Sequence, residues 1–257
     1  MDWNKKLYIS DEKPLDKLLS GYSFTSIFRK IAFVGDSMSS GEFEQCDKNG
    51  NKYYFDMFEY SWGQHIARRN GLTAYNFSRG GMTAKEYIDS FAEANGFWDK
   101  EKACQAYVIA LGANDVINQH METGNADDMI NYNTDTYIGA YAEIIRRYKE
   151  ISPDAKFFFL TLPDDKKFGS EETYDSINKT LYSLADYFEN SYIIDLYKYA
   201  PTFDEKFREK YFLHGHMNAM GYILIAEMVD SYIDYIIRQN PDEFLKVPFV
   251  NSGIDIL

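Results

Sequence analysis

Short, continuously apolar runs alternate along this chain with longer stretches whose apolar residues recur every three or four positions. The runs "KIAFVG" (30–35), "TAYNF" (73–77), "AYVIAL" (106–111), "KFFFLTL" (156–162) and "SYIIDL" (191–196) have the length and unbroken apolar character of strands covered on both faces. Between them lie helical patterns. Over 134–150, Tyr137, Tyr141, Ile144, Ile145 and Tyr148 share one helical stripe. A last helix is expected over about 219–239, with Asn218 as its N-cap and Pro241 just beyond its end. Strands alternating with helices predict an α/β domain built on a parallel sheet. Five such strands in series predict a flavodoxin-like three-layer sandwich, a five-stranded parallel sheet of order 2-1-3-4-5 with helices on both faces. No repeat, low-complexity tract or Gly/Ser linker interrupts the pattern, so one domain over 1–257 is expected, with residues 1–29 as an N-terminal arm. The segment 41–62, "GEFEQCDKNGNKYYFDMFEYSW", breaks the alternation. Its "KNGNK" reads as a tight turn, which predicts a hairpin inserted directly after the first strand.

The expected strand order puts the first strand between the second and the third, and a ligand site belongs at their carboxyl ends. Three short stretches stand there. "VGDSMSSG" follows the first strand and would project Ser37 from the sheet edge near the start of a helix; "NFSRGGMT" follows the second, with Gly80 and Gly81; "LGAND" follows the third, with Asn114. Each has an ordinary explanation as a turn or a cap. Side by side they bring together a hydroxyl, unhindered backbone N–H groups and a side-chain amide. Acyl transfer needs that set: a nucleophile, and fixed donors where the carbonyl oxygen becomes negative.

Serine also needs a base. Of four histidines, His65 sits in a helical pattern, "SWGQHIARR", that favours a packing or surface role, and His120 follows Asn114 by six residues, where it could line the site. His214 and His216 lie in "YFLHGHMNAMGY", about twenty residues past the fifth strand. At ~3.3 Å per residue such a loop can return to the first strand. A His-x-His pair also raises a metal site, but that requires further ligands, and no carboxylate or cysteine cluster clearly supplies them.

In these four blocks the chain resembles the SGNH (GDSL-type) serine hydrolases, over about residues 31–239. Ser37 in "GDS", Gly81 in "NFSRGGMT", Asn114 in "GAND" and His216 in "HMNAMGY" follow the order and approximate spacing of that family. The resemblance implies the same flavodoxin-like sandwich. It also implies Ser37 as nucleophile, His216 as general base, and an oxyanion hole from the N–H groups of Ser37 and Gly81 and the side chain of Asn114. The family pattern selects His216 over His214, because Asn218, Gly221 and Tyr222 follow His216 in the expected places. One departure stands out. The aspartate usual three residues before the histidine is Leu213 here, which can neither accept a hydrogen bond from an imidazole nor stabilise its cation. Losing the acid of a serine-protease triad costs about 10⁴-fold in rate. Three readings follow. A backbone carbonyl before His216 holds the ring, the favoured reading; or a distant carboxylate such as Asp204 or Glu205 substitutes; or the fold binds an acylated ligand with little turnover. His214 is then a loop or pocket-wall residue.

Composition narrows the substrate. With 27 basic and 40 acidic residues the net charge is −13, which disfavours phosphate backbones. The amino terminus, "MDWNKKLYISDEKPLDKLL", lacks the apolar core of a signal peptide, and no run approaches the ~20 apolar residues of a membrane span, so a cytoplasmic protein is expected. Two distant cysteines, Cys46 and Cys104, read as free thiols. No phosphate-binding glycine loop or dinucleotide fingerprint is present, and serine acyl transfer calls for no cofactor. The resemblance implies an ester substrate. Because the chain lacks an amphipathic basic stretch for lipid surfaces, short acyl esters, acetyl above all, on a sugar or similar polar alcohol are expected among the family's substrates; lysophospholipase and thioesterase chemistry are the alternatives within the family, and a flavin or nucleotide binder is the alternative outside it. The aromatic stretch 53–62, which includes Tyr54, is expected to pack beside Ser37 and shape the pocket.

Overall fold

The computed structural model describes residues 11–254, so the first ten positions of the expected N-terminal arm lie outside the described residues. Strands β1 (Lys30–Gly35), β4 (Thr73–Ser78), β5 (Ala106–Ala110), β6 (Lys156–Leu160) and β7 (Ser191–Ile194) form one sheet in the order β4-β1-β5-β6-β7. Every neighbouring pair is parallel. This is the 2-1-3-4-5 order expected from the sequence. Between β1 and β4 stand β2 (Glu42–Cys46) and β3 (Lys52–Asp56), an antiparallel hairpin in the inserted segment. Strands β8 (Phe212–Leu213) and β9 (His216–Met217) make a second, minimal hairpin near the carboxyl terminus.

The helices that matter for the site are α1 (Ser37–Ser40), α2 (Trp62–Asn70), α3 (Tyr137–Ile151), α4 (Glu171–Tyr187), α5 (Glu205–Tyr211) and α6 (Ala219–Gln239). Side-chain caps fix their starts: Ser61, Thr136 and Asn218 each accept a hydrogen bond from a backbone N–H three residues on. Two apolar clusters sandwich the sheet. On one face α3 and α4 pack Tyr141, Ile145, Ile177 and Leu181 against Tyr107 and Phe157; on the other α2 and α6 pack Trp62, Ile66, Val229 and Ile233 against Phe33, Val108 and Phe158. Side chains alternate along a strand, so a run such as "KFFFL", buried at all five positions, feeds both clusters at once.

The apolar runs outlast the hydrogen-bonded ladders. The runs 106–111 and 156–162 suggest longer strands than Ala106–Ala110 and Lys156–Leu160. Leu111 leaves the sheet yet remains buried, and Thr161 and Leu162 turn into the wall of a cavity. Cys46 and Cys104 are free thiols.

Candidate active site

At the carboxyl ends of β1 and β5 lies a cavity of about 510 Å³, lined among others by Ser37, Gly81, Asn114, Tyr54 and His216. Its size is within the range of small-molecule sites. Gly35 ends β1, and Asp36 caps α1 by accepting the N–H of Met38 at 3.0 Å, which sets Ser37 at the first position of that short helix. Among the described residues Ser37 Oγ has no hydrogen-bond partner. Gly81 has φ +74°, the left-handed region in which glycine carries no steric penalty. Asn114, in the turn after β5, donates from Nδ2 to the carbonyl of Met82 at 3.1 Å and faces Asp36 Oδ2 at 3.4 Å. The three strand-end blocks therefore meet in one crevice.

His216 reaches the crevice on β9. Its ring is held between two carboxylates of the inserted hairpin: Nε2 lies 3.0 Å from Glu42 Oε1, and Nδ1 lies 3.3 Å from Glu44 Oε2. Neither contact is the backbone carbonyl that the sequence favours. Asp204 and Glu205 do not face the ring either. Asp204 is the N-cap of α5, its Oδ1 accepting the N–H of Phe207 at 2.8 Å, and Glu205 opens that helix at an exposed position. His214 is exposed and takes φ +59° in the two-residue turn between β8 and β9, so its place is conformational. His65 lies on α2 with Nδ1 against Arg68, and His120 is exposed outside the cavity lining. Among the described residues no three His, Cys, Asp or Glu side chains are arranged to hold a metal ion.

The hairpin is anchored at its base. Ser40 Oγ donates to Asp56, and the Tyr222 hydroxyl donates to the carbonyl of Glu42 at 2.6 Å. Because side chains two apart on a strand share a face, Glu42 and Glu44 both turn toward His216. From β3 Tyr54 sets its ring edge-on to the imidazole at 5.7 Å and lines the same cavity as Ser37. Tyr53, Tyr54, Phe55 and Tyr60 are all about half exposed; of the aromatic groups of the stretch, Tyr54 and the buried Trp62 line the cavity.

Electrostatics separate the carboxylates. Burial pushes Glu44 up, but Lys52 Nζ at 2.7 Å, the N–H of Gly215 and His216 outweigh it and hold the carboxyl below its usual range. Burial raises Glu42, with His216 opposing and Asp56 and Glu44 adding to it. Burial also pushes Asp36 up to about 6, against the pull of the Met38 N–H and of His216.

Glu42 and Glu44 are the functional candidates that sequence reasoning missed. Their one signal is two glutamates at even spacing in a segment already flagged as an insertion; nothing local ties either to His216, which lies 172 residues beyond Glu44.

The chain matches the model of the GDSL-like lipase/acylhydrolase family over residues 33–224. No curated protein matches it significantly. Among solved structures it resembles a family two carbohydrate esterase from Clostridium thermocellum in complex with cellohexaose (19% identity, 88% of this chain and 68% of that one, TM-score 0.57). It also resembles a lipase/acylhydrolase from Enterococcus faecalis (17%, 81% and 96%, TM-score 0.55). A protein from Lactobacillus plantarum is similar as well (16%, 81% and 97%, TM-score 0.59). At these identities the likeness is one of fold.

Proposed function

The chain belongs to the GDSL-like lipase/acylhydrolase family and is a carboxylic ester hydrolase, and from that premise we propose that it removes short O-acyl groups, acetyl above all, from a carbohydrate or similar polar alcohol. The observation that carries the site assignment is the shared crevice: Ser37, Gly81, Asn114 and His216 open on one cavity although they come from four separate blocks of sequence.

Ser37 Oγ attacks the ester carbonyl while its proton passes to His216 Nε2. The negative charge that develops on the carbonyl oxygen is taken by the N–H groups of Ser37 and Gly81 and by Nδ2 of Asn114, whose N–H against Asp36 is available for exchange. Collapse breaks the C–O bond to the alcohol, which leaves with the proton from His216. Water, deprotonated by the same nitrogen, then releases the acid from Ser37. For the first step Glu42 has to leave Nε2, and bound substrate is the natural competitor for that contact.

A carbohydrate as the alcohol is supported by a cavity roomy enough for a sugar ring, with the Tyr54 ring at its wall. The carbohydrate esterase among the fold's neighbours points the same way. The reading in which the fold binds without turnover draws on Glu42 alone, which occupies the base. A fluorophosphonate probe separates the two. Mass added at Ser37 in the wild-type chain and absent in Ser37→Ala is the expected result, with cleavage of p-nitrophenyl acetate and of acetylated sugars. An unlabelled wild-type chain overturns the hydrolase mechanism.

A further inference from the structure

We propose that Glu44, on the inserted hairpin, is the positioning residue of His216: it holds the imidazole in the tautomer and orientation that catalysis requires, in place of an acid on the histidine's own loop. The proposal rests on the acyl-transfer reading given above and adds to it a residue that no sequence motif supplies.

The local backbone explains why the acid comes from elsewhere. The loop before His216 is a tight hairpin in which Leu213 pairs with His216 and the chain reverses through His214 and Gly215. An acid at position 213 would sit on the partner strand rather than at the end of a longer loop curling under the ring, and leucine there is one-third exposed. The acceptor arrives instead from β2. Glu44 is 1% exposed, so its carboxylate has no access to bulk water and has to be matched by protein groups. The matches are specific: Oε1 meets Lys52 Nζ at 2.7 Å, while Oε2 accepts the Gly215 N–H at 2.9 Å and faces His216 Nδ1 at 3.3 Å. One oxygen thus fixes both the turn that carries the histidine and the ring itself. Gly215 is part of the device, since a Cβ there would stand 2.4 Å from that oxygen.

With the Nδ1 proton directed at Glu44, the lone pair of Nε2 is free for the serine proton once Glu42 has left that nitrogen, and the imidazolium then formed has its countercharge in place. This is the task an aspartate performs in serine-protease triads. The other charged or titratable groups around the ring are Glu42 on Nε2, Asp36, Tyr54, and the hairpin residues Lys52 and Asp56. Of these, Glu44 alone contacts Nδ1.

The test compares Glu44→Gln, which keeps shape and removes charge, with Gly215→Ala, which keeps the charge and crowds the contact. Both are expected to lower kcat by about 10²- to 10⁴-fold with KM within about threefold. The acid limb of kcat/KM in Glu44→Gln is expected to move to lower pH, because the imidazolium has lost its countercharge. A purely structural role would move neither that limb nor a second signature, the far-downfield proton resonance of the hydrogen-bonded Nδ1–H, expected in the wild type and lost in Glu44→Gln. A variant with wild-type kcat and an intact resonance overturns the proposal. If the wild-type chain proves unreactive to fluorophosphonate, the hydrolase reading fails by itself, and the resonance still decides for or against Glu44.

Discussion

Two kinds of buried carboxylate stand around the crevice, and they obey opposite rules. On the hairpin side, Glu44 is almost completely buried yet held ionised, because an ammonium, a backbone N–H and an imidazole surround it. In the segments that follow β1 and β5, Asp36 and Asp115 are buried with backbone donors but no ion-pair partner among the described residues. Burial pushes them up to about 6 and about 7. Asp115 is 0% exposed, accepts the N–H of Ala84 at 2.7 Å and leaves Oδ2 without a partner. Burial alone therefore does not decide the charge of a carboxylate. What decides it here is whether a cation reaches the carboxylate.

The comparison breaks first at the imidazole, where the largest effect is expected. His216→Ala should lower kcat by about 10⁴- to 10⁶-fold, while His214→Ala, which alters only an exposed turn, should stay within about threefold. Steady-state rates on one ester measure both. The reverse result would move the base to His214.

Asp115 tests the other side through stability. A carboxyl whose folded value lies above its ordinary one binds its proton more tightly in the native state. Its contribution is full below about pH 4 and is lost as pH rises through about 7. At about 1.4 kcal/mol per pH unit, a rise from 3.8 to about 7 is worth as much as about 4 kcal/mol. Asp115→Asn should remove that loss, so urea unfolding at pH 8 finds the variant more stable than the wild type, with the gap closing toward pH 4. Equal slopes with pH in both proteins would mean that Asp115 is charged in the native state.

The smallest effect sharpens the rule. Lys52→Met strips Glu44 of its cation and shifts it toward the Asp115 condition. Glu44 is held low, so its stabilisation is present above its ordinary range and fades as pH falls. Because Lys52 is half exposed and screened by solvent, the expected effect at neutral pH is a small drop in unfolding temperature that shrinks in high salt. Thermal unfolding at two salt concentrations measures it.

Much of this architecture is visible in the sequence for physical reasons. The strands are apolar on both faces because helices cover both faces, and the caps Thr136 and Asn218 announce their helices because a free N–H needs a nearby oxygen. Ser37, Gly81 and Asn114 could be gathered at one edge because strand order fixes which carboxyl ends are neighbours. The partner of His216 was not legible. Asp204 and Glu205 are nearer in sequence, yet both belong to the start of α5. Glu44 meets the ring only because the hairpin folds back over the crevice, and no periodicity encodes that approach. The apolar runs overreach the strand ends at Leu111 and Thr161 because both residues stay buried beyond the strand, while Leu162 is only partly buried.

Both glutamates reach the imidazole from a single β-strand, at positions 42 and 44. The parity of the chain between Gly41 and the hairpin tip is therefore a hidden constraint. Adding one residue just after Gly41 would rotate both acids to the far face and leave the histidine facing the inserted residue and Phe43, whereas lengthening the "KNGNK" tip would leave the pair where it stands. The insertion tolerates growth at its far end and none at its root.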